Sequence, residues 1–510
     1  MRKHLMYIVY IGICLFSAGM MACSPSNQPN GVDSAQTLSE EEHAERAAEL
    51  DQFLSQVNDR NKQIPDPETD YRSYLPLNLG SEAQLENKVV KNRPEEKGVL
   101  SLEQVENDFN ILLYHLQSDY GHYNYFGGNE KFFEAREKVL EDCAELDKIT
   151  VTDFERILLE SLSFVEDKHF IINGKSPVPS LYPYRYEEIM FEKTEDGYRA
   201  LDTGLMVGQV QGQEDLDTLF RPSISEEGAI VYYPIILSDE VPGDLTITYA
   251  DGTEQSISPT PYRKLEYRFR NKVLGFSVKD EIPVISINQM PYDETAVDQL
   301  GKDFLAYGEE MRDRPIAIVD LRANIGGNGA LPIKWLNAYT GQKVGTHAFR
   351  VIPFETVESG NPGSIGYQSL DTKMNVLGWR TVDRNCSVGY VEDAEFVNND
   401  RLLIVLTSKL TASSAEIFVD AARSIQNVLV IGENTNGAMR GDAGASIKLF
   451  NSGLPVIYGK SLLAFAEEES TFPEKEPYFQ EGRGLLPDLW TSAGQAEELA
   501  LKLIRYYGYH

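Results

Sequence analysis

Four segments of the chain, far apart in sequence, bring together residue types that can do chemistry. The first is Thr407-Ser-Lys-Leu-Thr411-Ala412-Ser413-Ser414-Ala415-Glu416, directly after the apolar run Leu402–Leu406. A serine at such a turn sits at the mouth of a sheet. The helix that follows points its N-terminus at any negative charge developing there, so Ser413 is a candidate nucleophile. Ser413-x-x-Glu416 also fits a capping box, and a serine can both cap and react. The second segment is Ile316-Ala-Ile-Val-Asp320-Leu-Arg322-Ala-Asn324-Ile-Gly326-Gly327. Paired glycines let backbone N–H groups approach an oxygen without Cβ obstruction, as an oxyanion hole requires, although an ordinary strand–turn–helix junction reads the same way. The third is Glu166-Asp167-Lys168-His169, whose histidine is a candidate base or a structural residue. The fourth is Glu481-Gly482-Arg483-Gly484-Leu-Leu-Pro487-Asp488, a glycine-loosened acidic loop that alone would pass for a surface turn.

Other chemistries fall away. Neither Gly-x-Ser-x-Gly nor Ser-x-x-Lys occurs. Gly453-Leu-Pro-Val-Ile-Tyr-Gly459-Lys460-Ser461 has one residue too many between its glycines for a phosphate loop and reads as a strand and turn. Seven histidines and four scattered cysteines, without His-Glu-x-x-His, give no expectation of a metal or other cofactor. The net charge of −32 lacks the basic footprint of a nucleic-acid binder.

These segments need elements to position them. At 510 residues, 42% apolar and 25% charged, the chain is globular in composition, with a prior of about three domains. Residues 39–100 hold a charged helix, opened by the capping box Ser39–Glu42 and running to about Asn58, then an irregular stretch. Residues 101–176 form a helical unit: Ser101-x-x-Gln104 caps a helix with Leu102, Val105, Phe109, Leu112, Leu113 and Leu116 at helical spacing. Helical patterns recur at Lys131–Asp142 and Val151–Ser163. Residues 177–275 read as a β-rich insert, with strands at Ala229–Ile236 and Leu245–Tyr249 and an Asp251-Gly252 hairpin turn. Residues 276–510 alternate strands (Pro283–Ile287, Ala317–Leu321, Leu402–Leu406, Val428–Ile431, Leu454–Tyr458) with helices (Asp293–Arg312, Ala330–Tyr339, Ser413–Ser424, Ala493–Tyr506), implying an α/β domain with a largely parallel sheet. Cys143 and Cys386 fall in different domains and are expected to be buried or free thiols.

The order and spacing of the four segments resemble the C-terminal processing (tail-specific) serine peptidases, in the branch close to the tricorn protease core. The likeness covers about residues 101–500. It is carried by Asp320-Leu-Arg-x-Asn324-x-Gly326-Gly327, Thr411-x-Ser413-Ser-Ala-Glu416 and Gly432-Glu-Asn-Thr-x-Gly437, and less specifically by Glu481-x-x-Gly-x-x-Pro-Asp488 and Asp167-x-His169. The resemblance implies a crotonase/ClpP-like α/β fold and a serine-type endopeptidase acting on peptides or unfolded proteins. Ser413 would be the nucleophile. The N–H of Ser414 and one of Gly326 or Gly327 would form the oxyanion hole. Many members carry a lysine base about 25 residues after the serine, where this chain has Ala438. The tricorn-like branch instead uses a histidine before the inserted domain, oriented by a glutamate near the C-terminus, which implies His169 and Glu481. Glu433, Asp442 and Glu476 are other acids in the same stretch. That branch has a serine immediately before the histidine, and here the residue is Lys168. The insert stands where the family often has a PDZ module but lacks a clear Gly-Leu-Gly-Phe-like carboxylate loop. The same scaffold also occurs in non-proteolytic binding proteins, the main rival reading. A third is a surface lipoprotein binding sugars or partners through aromatics such as Tyr182, Tyr184 and Tyr186.

At the N-terminus, Arg2-Lys3 precede an apolar run from Leu5 to Ala22, then Cys23 and a polar stretch. This resembles a bacterial lipoprotein signal, residues 1–22, with Cys23 lipidated, a flexible tether over 23–38 and the body anchored at the cell envelope. Met20 stands where that signal usually carries leucine, and the run could also serve as an uncleaved anchor. Removing residues 1–22 deletes Arg2 and Lys3 and no acid, taking the charge from −32 to −34.

Overall fold

A computed structural model describes residues 40–64, 98–265, 273–291, 299–347, 349–353, 380–383, 386–389, 395–465 and 476–509. The expected signal, tether and Cys23 lie outside the described residues.

Leu402–Thr407 and Val428–Gly432 are apolar almost throughout, and every residue in both is buried. A strand apolar on both faces must be covered on both, as in a parallel sheet with helices on either side. Ile282–Ile287, Ile316–Asp320, Leu402–Thr407, Val428–Gly432 and Leu489–Trp490 are successive parallel neighbours, in that order. Alternate residues serve opposite cores. Leu403 and Val405 pack with Leu331, Trp335 and Phe418 of the helices Ala330–Thr340 and Ser414–Ala422. Leu402, Ile404 and Leu406 pack with Leu499, Leu503 and Ile504 of the helix Ala496–Tyr506. Leu50, Leu54 and Val57 of the first helix, Glu40–Lys62, join this second core. Their i, i+4, i+7 spacing gives an otherwise charged helix one apolar stripe.

Some of the strands between residues 182 and 257 extend this sheet. Phe220–Ile224 pairs in parallel with Leu489–Trp490, and Ile230–Ser238, Phe191–Thr194 and Gly197–Ala200 continue outward antiparallel. Val207–Val210, Leu245–Tyr249 and Glu254–Ile257 form a separate three-stranded sheet, whose hairpin turns at Gly252 with φ +88°.

In the helical unit, Ser101 and Gln104 exchange both capping bonds, at 3.2 and 2.9 Å. Val105, Phe109, Leu112, Leu113 and Leu116 are buried, while Leu102 lies 40% exposed on the first turn. Cys143 is a buried free thiol.

One strand differs from its expected place. Pro455–Tyr458 pairs antiparallel with Ala445–Lys448 and with Ile171–Ile172, outside the parallel sheet. Its exposure alternates, with only Val456 and Tyr458 buried, and those two enter the core of the helical unit. Alternation of that kind marks a strand covered on one face. The pairing holds the His169 segment against the C-terminal half of the chain.

Candidate active site

The site forms where the strands Ile316–Asp320 and Leu402–Thr407 end side by side. Past Asp320 the chain turns, and side chains fasten the turn. Asp320 pairs with Arg322 through two contacts at 2.7 and 2.8 Å, and Arg322 also donates to the Ala493 carbonyl at 2.7 Å. Asn324 Nδ2 donates to the Ile287 carbonyl, and its Oδ1 accepts the Gly326 N–H, both at 2.9 Å. From the neighbouring strand end, Thr411 Oγ1 donates to the Leu321 carbonyl and the Ala412 N–H to the Asn324 carbonyl, each at 2.9 Å. The two turns are thereby fixed to each other.

Glycine is required at both positions of the pair. A Cβ on Gly326 would lie 2.7 Å from Ser413 Cβ and 3.2 Å from its Oγ, and one on Gly327 would lie 1.9 Å from the Met290 carbonyl oxygen. Both adopt positive φ, +102° and +133°. The Gly326 N–H is occupied by Asn324. Among the described contacts, the N–H groups of Gly327 and Ser414 have no acceptor, while the Ser414 hydroxyl donates to the Gly327 carbonyl at 2.5 Å and couples the two residues. Of the expected oxyanion-hole residues, Gly327 and Ser414 therefore have N–H groups to offer, and Gly326 is spent on the turn.

Ser413 has φ +57° and ψ −120°, a conformation that costs a non-glycine residue of order 1–3 kcal/mol and persists only where its surroundings over-determine it. Here Glu416 does so. Its buried carboxylate accepts from the Ser413 N–H at 2.9 Å, Ala438 N–H at 2.9 Å, Gly437 N–H at 2.8 Å and Thr435 Oγ1 at 2.6 Å. The capping-box glutamate thus braces the turn against the loop 435–438, including Ala438, where a lysine base would have stood.

His169, 244 residues away in sequence, places Nε2 3.3 Å from Ser413 Oγ. The structure brings these two expected residues together and keeps Glu481 away from the ring. Glu481 Oε1 accepts from the N–H groups of Met439 (3.1 Å) and Arg440 (2.7 Å), and Oε2 from that of Lys168 (2.9 Å). It ties the histidine segment to the loop 439–440 through main chain. Burial and the charge of Asp167 push its carboxyl up, to about 8. His169 Nδ1 has no hydrogen-bond partner, so Glu433, Asp442 and Glu476 do not orient the ring either. Its nearest carboxylate oxygen is Asp167 Oδ1, at 3.8 Å.

Lys168 occupies the serine position of the resembling branch, yet its ammonium turns elsewhere. It donates to Ser180 Oγ at 2.6 Å and to the Asn436 side-chain and main-chain oxygens at 2.9 and 3.2 Å, and burial lowers its pKa. Lys409, which sequence reasoning passed over, is almost fully buried and donates to the carbonyls of Thr435 and Gly482 at 2.7 and 2.9 Å. Burial, then repulsion from Lys168, drive its pKa well down. The position of Lys409 in the Thr407–Glu416 segment was visible, but its carbonyl partners come from loops distant in sequence. Among the described residues no group of three or more His, Cys, Asp or Glu side chains could hold a metal.

The model of peptidase family S41 matches residues 281–489. This stretch belongs to peptidase family S41. The S41 match contains the glycine turn, Ser413, Glu416 and Glu481, whereas His169 is supplied from the helical unit that precedes it. The matched stretch is that of a serine peptidase, a hydrolase. No curated protein matches the chain. Similar solved structures include mature CPAF complexed with lactacystin (12% identity, covering 80% of this chain and 99% of that one, TM-score 0.40). Others are the photosystem II D1 C-terminal processing protease (12%, 80% and 97%, 0.34) and the tricorn protease (14%, 79% and 37%, 0.33).

Proposed function

We propose that the protein is a catalytically active serine endopeptidase of peptides or unfolded proteins, with Ser413 as nucleophile and His169 as general base. The observation that carries this reading is the 3.3 Å approach of His169 Nε2 to a serine hydroxyl held in a strained, braced turn. A scaffold retained for binding alone has no need of that strain. With the proton on Nδ1, Nε2 takes the Ser413 proton as Oγ attacks the peptide carbonyl. The same nitrogen then gives the proton to the leaving amine. The Gly327 and Ser414 N–H groups bind the tetrahedral oxyanion, each contributing roughly 3 kcal/mol to the transition state.

The test is hydrolysis of an unfolded protein substrate by the wild type beside Ser413→Ala and His169→Ala. Loss in both variants, with circular dichroism unchanged, is the expected result. Cleavage that survives Ser413→Ala would sink the assignment, and the absence of cleavage by the wild type would favour the binding-protein reading.

We further propose that residues 1–22 are a lipoprotein signal and that Cys23 carries the lipid tethering the peptidase to the cell envelope. Among the described residues no helix is long and apolar enough to cross a membrane. Incorporation of labelled palmitate that persists in Cys23→Ser would refute the assignment.

A further inference from the structure

We infer that Asp167, not Glu481, is the positioning residue that orients the His169 imidazole and stabilises its protonated form. The inference rests on His169 being the base, as proposed above.

A carboxylate can support an imidazolium only with charge not already spent. Glu481 is spent on three main-chain N–H groups from two segments of the chain. Asp167 is fully buried and receives two hydrogen bonds, from the His169 N–H to Oδ1 at 2.8 Å and from Tyr120 OH to Oδ2 at 3.1 Å. Among the described residues no lysine or arginine forms an ion pair with it. The first bond fixes the carboxylate to the residue whose ring it faces. From the other side, His122 Nε2 donates to the Arg440 carbonyl at 3.0 Å, which leaves Nδ1 without a proton when the ring is neutral. That Nδ1 lies 3.7 Å from Asp167 Oδ2 and makes no hydrogen bond, and the pull of Asp167 toward a charged ring is outweighed by burial. Burial favours the neutral ring.

Gly441 covers the carboxylate. A Cβ there would lie 2.7 and 2.8 Å from the two Asp167 oxygens, so glycine lets the loop close over them. The result is a buried carboxylate that faces the His169 ring, with Nδ1 3.8 Å from its Oδ1. That gap exceeds a hydrogen bond, so in this structure the support is electrostatic, and catalytic contacts of this kind tighten once substrate is bound. The signal in the sequence was Asp167-x-His169 itself.

The test follows the His169 ring by NMR titration of the full chain, with His169→Ala used to assign the resonance. Asp167→Asn keeps an oxygen for the His169 N–H and removes the charge. It should lower the midpoint of the His169 titration by about one pH unit, as loss of a neighbouring carboxylate does, and move the acid limb of kcat/KM with it. Glu481→Gln should shift the midpoint by no more than a few tenths. Tyr120→Phe, which strips a donor from Asp167, should raise it. An unmoved midpoint in Asp167→Asn, or a larger fall in Glu481→Gln, overturns the inference. If Asp167→Asn does not fold, the sign of the Tyr120→Phe shift decides. The readout does not require hydrolysis, so it stands apart from failure of the peptidase reading.

Discussion

Gly326→Ala gives a worked test of how the turn positions the nucleophile. An alanine Cβ at this position would meet Ser413 Cβ at 2.7 Å, the Ala412 carbonyl oxygen at 3.0 Å and Ser413 Oγ at 3.2 Å. Ordinary contacts begin at 3.4 Å, so Ser413 must yield by several tenths of an ångström. The φ of +102° adds backbone strain of about 1–3 kcal/mol. A nucleophile displaced by about 1 Å loses on the order of 100-fold in rate. Stability loss alone could mimic this, so the control is Gly204→Ala, at φ +71° with nothing within 4 Å of the new Cβ. That variant should cost about 1 kcal/mol for its left-handed backbone and leave turnover unchanged. Urea denaturation and kcat, measured on both variants with an unfolded protein substrate, separate the two effects. The expected result is destabilisation in both and a fall in kcat of at least about 30-fold only in Gly326→Ala. A kcat within threefold of wild type in Gly326→Ala would refute the reasoning that this glycine exists to admit Ser413.

Two further outcomes follow from buried groups. Glu416→Gln turns an amide against two of the four donors now held by the carboxylate, which should cost about 2–4 kcal/mol in the urea midpoint and slow reaction at Ser413. An unchanged midpoint would contradict the bracing role. His347 packs edge-on to Tyr478 at 5.6 Å, and burial with the nearby Arg423 charge holds its pKa down to about 3. A depressed histidine contributes stability that is complete above about pH 6.5 and lost as pH falls from there toward 3, by at most about 1.4 kcal/mol per unit. Urea midpoints at pH 7 and pH 5 should diverge in the wild type and converge in His347→Asn. Equal slopes in the two proteins would count against it.

Much of the framework was legible because it rests on local pattern. Leu402–Leu406 and Val428–Ile431 were readable as strands because they are apolar throughout, and Ser101-x-x-Gln104 was readable as a cap because both of its bonds are local. Pro455–Tyr458 was misplaced because alternation says how a strand is covered, not which sheet it joins. At the site, motif order pointed to the two segments whose Ser413 and His169 side chains meet, while the partners of Glu481 and Asp167 were not legible. The carboxylate of Glu481 is consumed by the N–H groups of Lys168, Met439 and Arg440, and main-chain partners leave no mark on side-chain spacing. The strained Ser413 backbone was equally hidden, since it is imposed by Glu416 and the loop 435–438 rather than by the residues beside it.

The most direct measurement is the site of covalent modification by a fluorophosphonate. Intact mass followed by peptide mapping should show one adduct per chain, on Ser413, absent in Ser413→Ala and slowed at least 100-fold in His169→Ala. An adduct on any other residue, or a wild-type rate no faster than that of His169→Ala, would contradict the proposed pairing of these two side chains.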